Sequence, residues 1–202
     1  MNETIPIGIE GNTCTGKTVL AKGIVSRLQS NGIASTYVKL IPSVANRAQI
    51  IAQMGKVSSL DEDLLFLDDL VYTIRHSMEA EAGKVIVFDR YAPSKVAYTR
   101  TYRSNQGYQA FMREMGKHKI VIPDLMFLLQ ASSEVKRARL ETKTDTSRVD
   151  LKTLEDSALE SNLLRMAEPF NPVLIDTSYL GKEDVLQLCL SHLSSRTGQQ
   201  YN

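Results

Sequence analysis

A chain of 202 residues in which 24 Lys and Arg stand against 23 Asp and Glu has a net charge of +1, too even a balance to project the field that a nucleic acid or membrane surface requires. That length fits one domain able to bury a core of ordinary size. Cys14 and Cys189 lie far apart, and His76, His118 and His192 are scattered, so the spacing excludes a metal centre or a disulfide framework and both thiols are expected to stay reduced.

The first predicted element is the apolar run IPIGI, residues 5–9, a buried strand. The stretch before it carries an acid and no basic region, and the run is too short for a signal sequence or a membrane span, so a cytoplasmic protein is expected. Directly after the strand, GNTCTGKT (11–18) satisfies G-x-x-x-x-G-K-[ST] with Gly11, Gly16, Lys17 and Thr18. Glycines at this spacing let successive backbone N–H groups face one hollow, and the following helix adds its positive end. The hollow suits a phosphate. Asn12, Thr13, Cys14 and Thr15 are expected along it, with Lys17 at the β and γ phosphates of ATP and the Thr18 hydroxyl on Mg²⁺. Cys14 is expected to face away from the phosphates, in a place open to thiol-reactive inactivation.

A helix follows, with Leu20, Ile24 and Leu28 on one face and Asn31-Gly32 as its stop. STYVKLI (35–41) predicts the second strand. Leu67, Leu70, Val71, Ile74 and Met78 predict a second amphipathic helix, closed by Ala82-Gly83. KVIVF (84–88) is the third strand and delivers Asp89 at its C-terminal end, where an acid meets a metal. Arg90 beside it can clamp phosphate oxygens bidentately. Tyr91, Tyr98 and Tyr102 follow, suited either to stacking a base or to core packing. LMFLL (125–129) and PVLI (172–175) complete the strands, and the polar tail SSRTGQQYN is expected to fray. Strands alternating with helices, without hairpin signals, predict an α/β fold around a parallel sheet.

A phosphate loop alone serves switches, motors and kinases alike. The base-reading motif of a GTPase has a counterpart in TKTD (142–145), but it falls in a polar basic segment after the helix that follows the fourth strand. Asp89 is moreover followed by Arg-Tyr-Ala where a switch needs a nearby glycine. Both points favour a kinase.

IEGNTCTGKT, FDRYAPSKVAYT, PDLMFLLQASSEVKRARL and NPVLIDTS together resemble the thymidylate kinases and their relatives among nucleoside monophosphate kinases, from residue 5 to about 193. The resemblance implies a single P-loop kinase domain over residues 1–202: a three-layer α/β/α sandwich with a five-stranded parallel sheet ordered 2-3-1-4-5. It implies ATP and Mg²⁺, a small-molecule acceptor and a homodimer. Lys17, Asp89 and Arg90 would be catalytic, joined by Arg139 and Arg148 from a lid at about 140–150. Thr18 and Asp89 would hold the metal, and Asp176, Thr177 and Ser178 would lie near the adenine. Phe66, Asp69, Arg90, Tyr91, Ser94, Tyr98 and Thr99 would form the acceptor pocket.

Three departures mark this chain. Leu40-Ile41-Pro42-Ser43 replaces an Arg-Glu-Pro turn, Thr13 replaces an acid of the phosphate loop, and Leu70 replaces a helix arginine. EGN (10–12) also resembles deoxynucleoside kinases, whose base, needed to deprotonate a hydroxyl, would fall at Ile41. The expected reaction is transfer of the γ-phosphoryl of Mg-ATP to a nucleoside monophosphate, dTMP or a related pyrimidine nucleotide first. A kinase of a nucleoside or other small hydroxyl compound, with Asp68, Asp69 or Asp89 as base, remains an alternative, as does a non-catalytic ATP-binding regulator.

Overall fold

The computed structural model describes residues 3–40, 47–54, 56–144, 146–198 and 201. Its strands β1 (Ile5–Gly11), β2 (Ser35–Lys39), β3 (Val85–Asp89), β4 (Leu125–Gln130) and β5 (Val173–Asp176) form one parallel sheet in the order β2-β3-β1-β4-β5, as expected. The helices are α1 (Lys17–Ser30), α2 (Arg47–Gln53), α3 (Ser59–Ala80), α4 (Ala92–Tyr102), α5 (Asn105–Met115), α6 (Ser133–Glu141), α7 (Arg148–Thr153), α8 (Ser157–Ala167) and α9 (Lys182–Thr197).

Alternation along the strands divides the core into two faces, because successive side chains point to opposite sides of a sheet. Ile7, Ile9, Val85, Val87, Phe127 and Leu129 pack with Leu20, Ile24 and Leu28 of α1 and with Val185, Cys189 and Leu193 of α9. Ile86, Phe88, Met126 and Leu128 pack on the other face with Leu70 and Ile74 of α3, Ala97 of α4, and Leu159 and Leu163 of α8. Each such side chain contributes about 1.5–3 kcal/mol on burial, which is why the central strands are almost continuously apolar.

α3 begins a full two turns before the predicted stripe. Ser58 caps it, its hydroxyl accepting the Asp61 N–H at 3.2 Å. The C-terminal tail corrects the expectation of fraying: past Gly198, in the left-handed conformation with φ 69°, the side chain of Tyr201 is buried in the α1–α9 core and its N–H donates to Ser194 Oγ at 3.1 Å. Ile41, Pro42 and Ser43 lie outside the described residues, as does Asp145 of the TKTD stretch.

The strand order reverses around β1, so the C-terminal ends of β1, β3 and β4 stand side by side. Parallel register pairs Ile9 with Asp89 and Gly11 with Leu129, setting the phosphate loop beside the end of β3.

Candidate active site

The phosphate loop leaves β1 through Gly11 and enters α1 through Gly16, with φ of 147° and 98°. Gly11 is required on two counts: a Cβ there would stand 2.5 Å from Leu129 O and 2.6 Å from Thr15 Oγ1. Gly16 is required for its backbone angle alone, since nothing would touch a Cβ at that position. Cys14 also takes a left-handed backbone, φ 61°, a conformation that costs a non-glycine residue on the order of 1–3 kcal/mol and is held by surrounding contacts. Its half-buried thiol is pushed up by desolvation, which makes it less reactive than the loop position alone implies.

Lys17 is buried and donates to Asn12 O at 2.6 Å. Burial, reinforced by the positive charge of Arg90, pushes its pKa down from 10.5 to about 7. A desolvated ammonium resting on one neutral carbonyl, inside a glycine-bounded loop, fits an anionic ligand. Phosphate oxygens return Lys17 towards 10.5, so above pH 7 the nucleotide complex holds a proton that the free protein lacks. ATP binding at pH 8 is therefore expected to take up a proton, and affinity to fall up to about tenfold per pH unit above 7. Calorimetry in buffers of different ionisation enthalpy measures this; identical heats would contradict it.

Thr18 and Asp89 are brought together as expected, Thr18 Oγ1 donating to Asp89 Oδ2 at 2.6 Å. A hydroxyl and a carboxylate oxygen in contact are the hard oxygen donors that suit Mg²⁺, which keeps its other positions for water and phosphate. Tyr37 was not anticipated. From β2 its hydroxyl donates to the same Asp89 Oδ2 at 3.0 Å, and its pKa is raised by burial and then by the carboxylate's charge.

Arg90 has φ 74° and places Nη1 3.0 Å from Ser94 Oγ and 3.5 Å from Gly11 O, directly beside the phosphate loop. The same Ser94 hydroxyl meets Glu10, wholly buried near the end of β1 and also missed in the sequence. Glu10 accepts the N–H groups of Tyr91 at 2.8 Å and Ser94 at 2.9 Å, together with the Ser94 hydroxyl. It therefore caps the positive end of α4 from a neighbouring strand. Desolvation raises its pKa against the pull of those hydrogen bonds and of Arg90. A lone acid in an otherwise apolar central strand was the available signal, because such a charge must find donors.

The end of α7 and Glu160 of α8 are docked on the loop. Asn12 Nδ2 donates to Thr153 O at 2.7 Å and to Glu160 Oε1 at 3.0 Å, and the hydroxyls of Thr13 and Thr153 meet at 2.9 Å. Glu160 also pairs with the buried Lys136 of α6. Asp150, at the start of α7, is held down to about 2: burial opposes ionisation, but hydrogen bonds from Lys143 and Ser147 prevail. Of the two lid arginines, Arg148 is exposed at the first residue of α7. Arg139, expected to be catalytic, binds Cys14 O at 3.1 Å, Thr177 Oγ1 at 2.9 Å and Thr177 O at 2.7 Å. It ties the loop after β5 to the phosphate loop. Thr177 completes that tie by donating to Thr15 O at 3.2 Å, whereas Asp176 is exposed and accepts the Ser178 N–H at 2.8 Å.

On the acceptor side Tyr91 is a correction. Its ring is wholly buried against Phe88 and Phe170, and its hydroxyl donates to Val121 O at 2.7 Å, so it serves the core and no acceptor. Phe66, Asp69, Tyr98 and Thr99 do gather on α3 and α4, with Asp69 and Thr99 buried. The Lys95 ammonium, for which no site was expected, lies over the rings of both Phe66 and Tyr98 and is paired with the equally unanticipated Asp63. Asp63 keeps the helical phase of Leu67, Leu70 and Ile74, and an acid in a buried stripe signals an internal cation.

The family of thymidylate kinases matches residues 9–187, spanning the loop, the β3 acid, the lid and the loop after β5. The chain belongs to the thymidylate kinase family. Among solved structures, this kinase is similar to deoxyadenosine kinase from M. mycoides with the products dCMP and a flexible dCDP bound: 13% identity, 95% of this chain and 100% of that one covered, TM-score 0.71. That likeness shows the shared fold, while the family supports a nucleotide kinase. No curated protein sequence matches the kinase. Among the described residues no helix is long and apolar enough to cross a membrane.

Proposed function

We propose that this kinase transfers the γ-phosphoryl group of Mg-ATP to the phosphate of a small anionic acceptor, with nucleoside monophosphates the class nominated by its family and dTMP the first to assay. The observation that carries the reading is Arg90: a left-handed backbone and Ser94 aim its guanidinium at the rim of the phosphate loop, between the donor side and α4. A cation fixed there draws two anions into line, and phosphoryl transfer depends chiefly on positioning and charge.

The acids of the cleft support a phosphate acceptor over a hydroxyl. Glu10 is bound by α4, Asp89 by Thr18 and Tyr37, and Asp63 by Lys95 and Arg103. Of the candidate bases, Asp89 is thus engaged, Asp68 is exposed and Asp69 is buried on α3, whereas a phosphate oxygen is already anionic and needs no base. Bound Mg²⁺, which Thr18 and Asp89 would hold, supplies charge neutralisation at the transferring phosphoryl group. Lys17 would bind the donor phosphates, and the loop N–H groups would orient them.

A screen of nucleoside monophosphates, small phosphomonoesters, nucleosides and alcohols with labelled ATP tests the reading. Label transferred to a phosphate-bearing acceptor is expected. Turnover of hydroxyl compounds alone would overturn it, as would ATP binding with no transfer to any of them.

A further inference from the structure

The aromatic part of the acceptor side is already filled. Lys95, Tyr98 and Thr99 stand at i, i+3 and i+4 on α4 and so share one helix face. The Lys95 ammonium donates to Asp63 Oδ1 at 2.5 Å, and Arg103 holds the same carboxylate through Nε at 2.7 Å and Nη2 at 3.2 Å. Three rings surround that ammonium, with Phe66 at 4.9 Å and Tyr98 and Phe111 each at 5.7 Å from Nζ to centroid. The Lys95 and Asp63 side chains are only 4% and 1% exposed, so the cage is closed.

A base stacked on the face of Phe66 or Tyr98 that the ammonium lies over would have to displace it, since stacked rings lie about 4.5–7 Å apart by centroid. Moving Lys95 aside would strip a desolvated cation from the rings and leave Asp63 buried with one partner fewer. We infer that Lys95 determines acceptor selectivity by covering the ring faces of Phe66 and Tyr98, so that the acceptor binds with no nucleobase seated on those faces. The inference rests on the kinase reading above and narrows its acceptor.

The test is dTMP binding, measured by calorimetry with a non-hydrolysable ATP analogue and Mg²⁺ present, in the wild-type protein, Lys95→Ala and Lys95→Met. Alanine removes the ammonium from both ring faces, and one turn further along α4 the Thr99 hydroxyl is buried with no hydrogen-bond partner among the described residues. Lys95→Ala is therefore expected to bind dTMP at least about tenfold more tightly than the wild type. Lys95→Met, which keeps the space filled without the charge, is expected to match the wild type. Should Lys95→Ala unfold, the double variant Asp63→Asn/Lys95→Ala removes the stranded charge, and the same gain is expected there.

Wild-type affinity for dTMP equal to that of the opened variants overturns the inference, and so does an equal gain in Lys95→Met. Both results leave binding of the ATP analogue intact. Failure of the wild-type protein to bind the analogue is a different result, which removes the kinase reading and this inference with it.

Discussion

Lys17→Ala is expected to lower kcat/KM by about a thousandfold or more, the scale on which positioned cations act in phosphoryl transfer. The side chain is buried inside the loop, where removal of water strengthens its interaction with charge. It rests against Asn12 O, a neutral partner easily exchanged for a phosphate oxygen. Shortening it to alanine leaves the Gly11 and Gly16 conformations in place, so the N–H cradle survives while its one flexible charge is gone. The variant should also lose the proton uptake expected of the wild type above pH 7, because that proton belongs to Lys17. Steady-state turnover and calorimetry report the two effects separately. Turnover within tenfold of wild type would remove Lys17 from the site.

Arg90→Ala is expected to reduce kcat by about a hundred- to a thousandfold, with ATP affinity changed by less than about threefold, the pattern of a contact made chiefly in the transition state. Arg90→Lys should recover only part of the loss, since an ammonium lacks the planar fork that binds two oxygens. Arg90→Gly separates charge from backbone. Glycine accepts φ 74° without strain, so that variant should fold at least as well at this position and still fail to turn over. A loss confined to ATP affinity would place Arg90 on the donor side and contradict the proposed role.

The sheet and the phosphate loop were legible because both rest on local pattern. Apolar runs of strand length read directly as β1 to β5, and the spacing of Gly11, Gly16 and Lys17 has few other uses. Asp89 was legible for the same reason, at the end of an apolar strand. Hidden from the sequence were the contacts that depend on distant segments: Glu10 meeting the start of α4, Tyr37 reaching Asp89 across the sheet, and Asn12 meeting Thr153. Tyr91 was misread because a tyrosine beside a functional arginine has two uses, and the Val121 carbonyl that decides between them is 30 residues away. Lys95 escaped because a lysine on a helix is ordinarily solvated, and only its closeness to Asp63 shows otherwise. The hold of Arg139 on Thr177 was equally hidden, since Thr177 lies 38 residues beyond it.

Asn12 joins two parts of the molecule through its two ends. Its backbone carbonyl is the resting place of Lys17, while its side-chain amide grips Thr153 and Glu160. One substitution at this position therefore touches both sites: removing the amide releases the end of α7 from the very residue whose carbonyl seats Lys17.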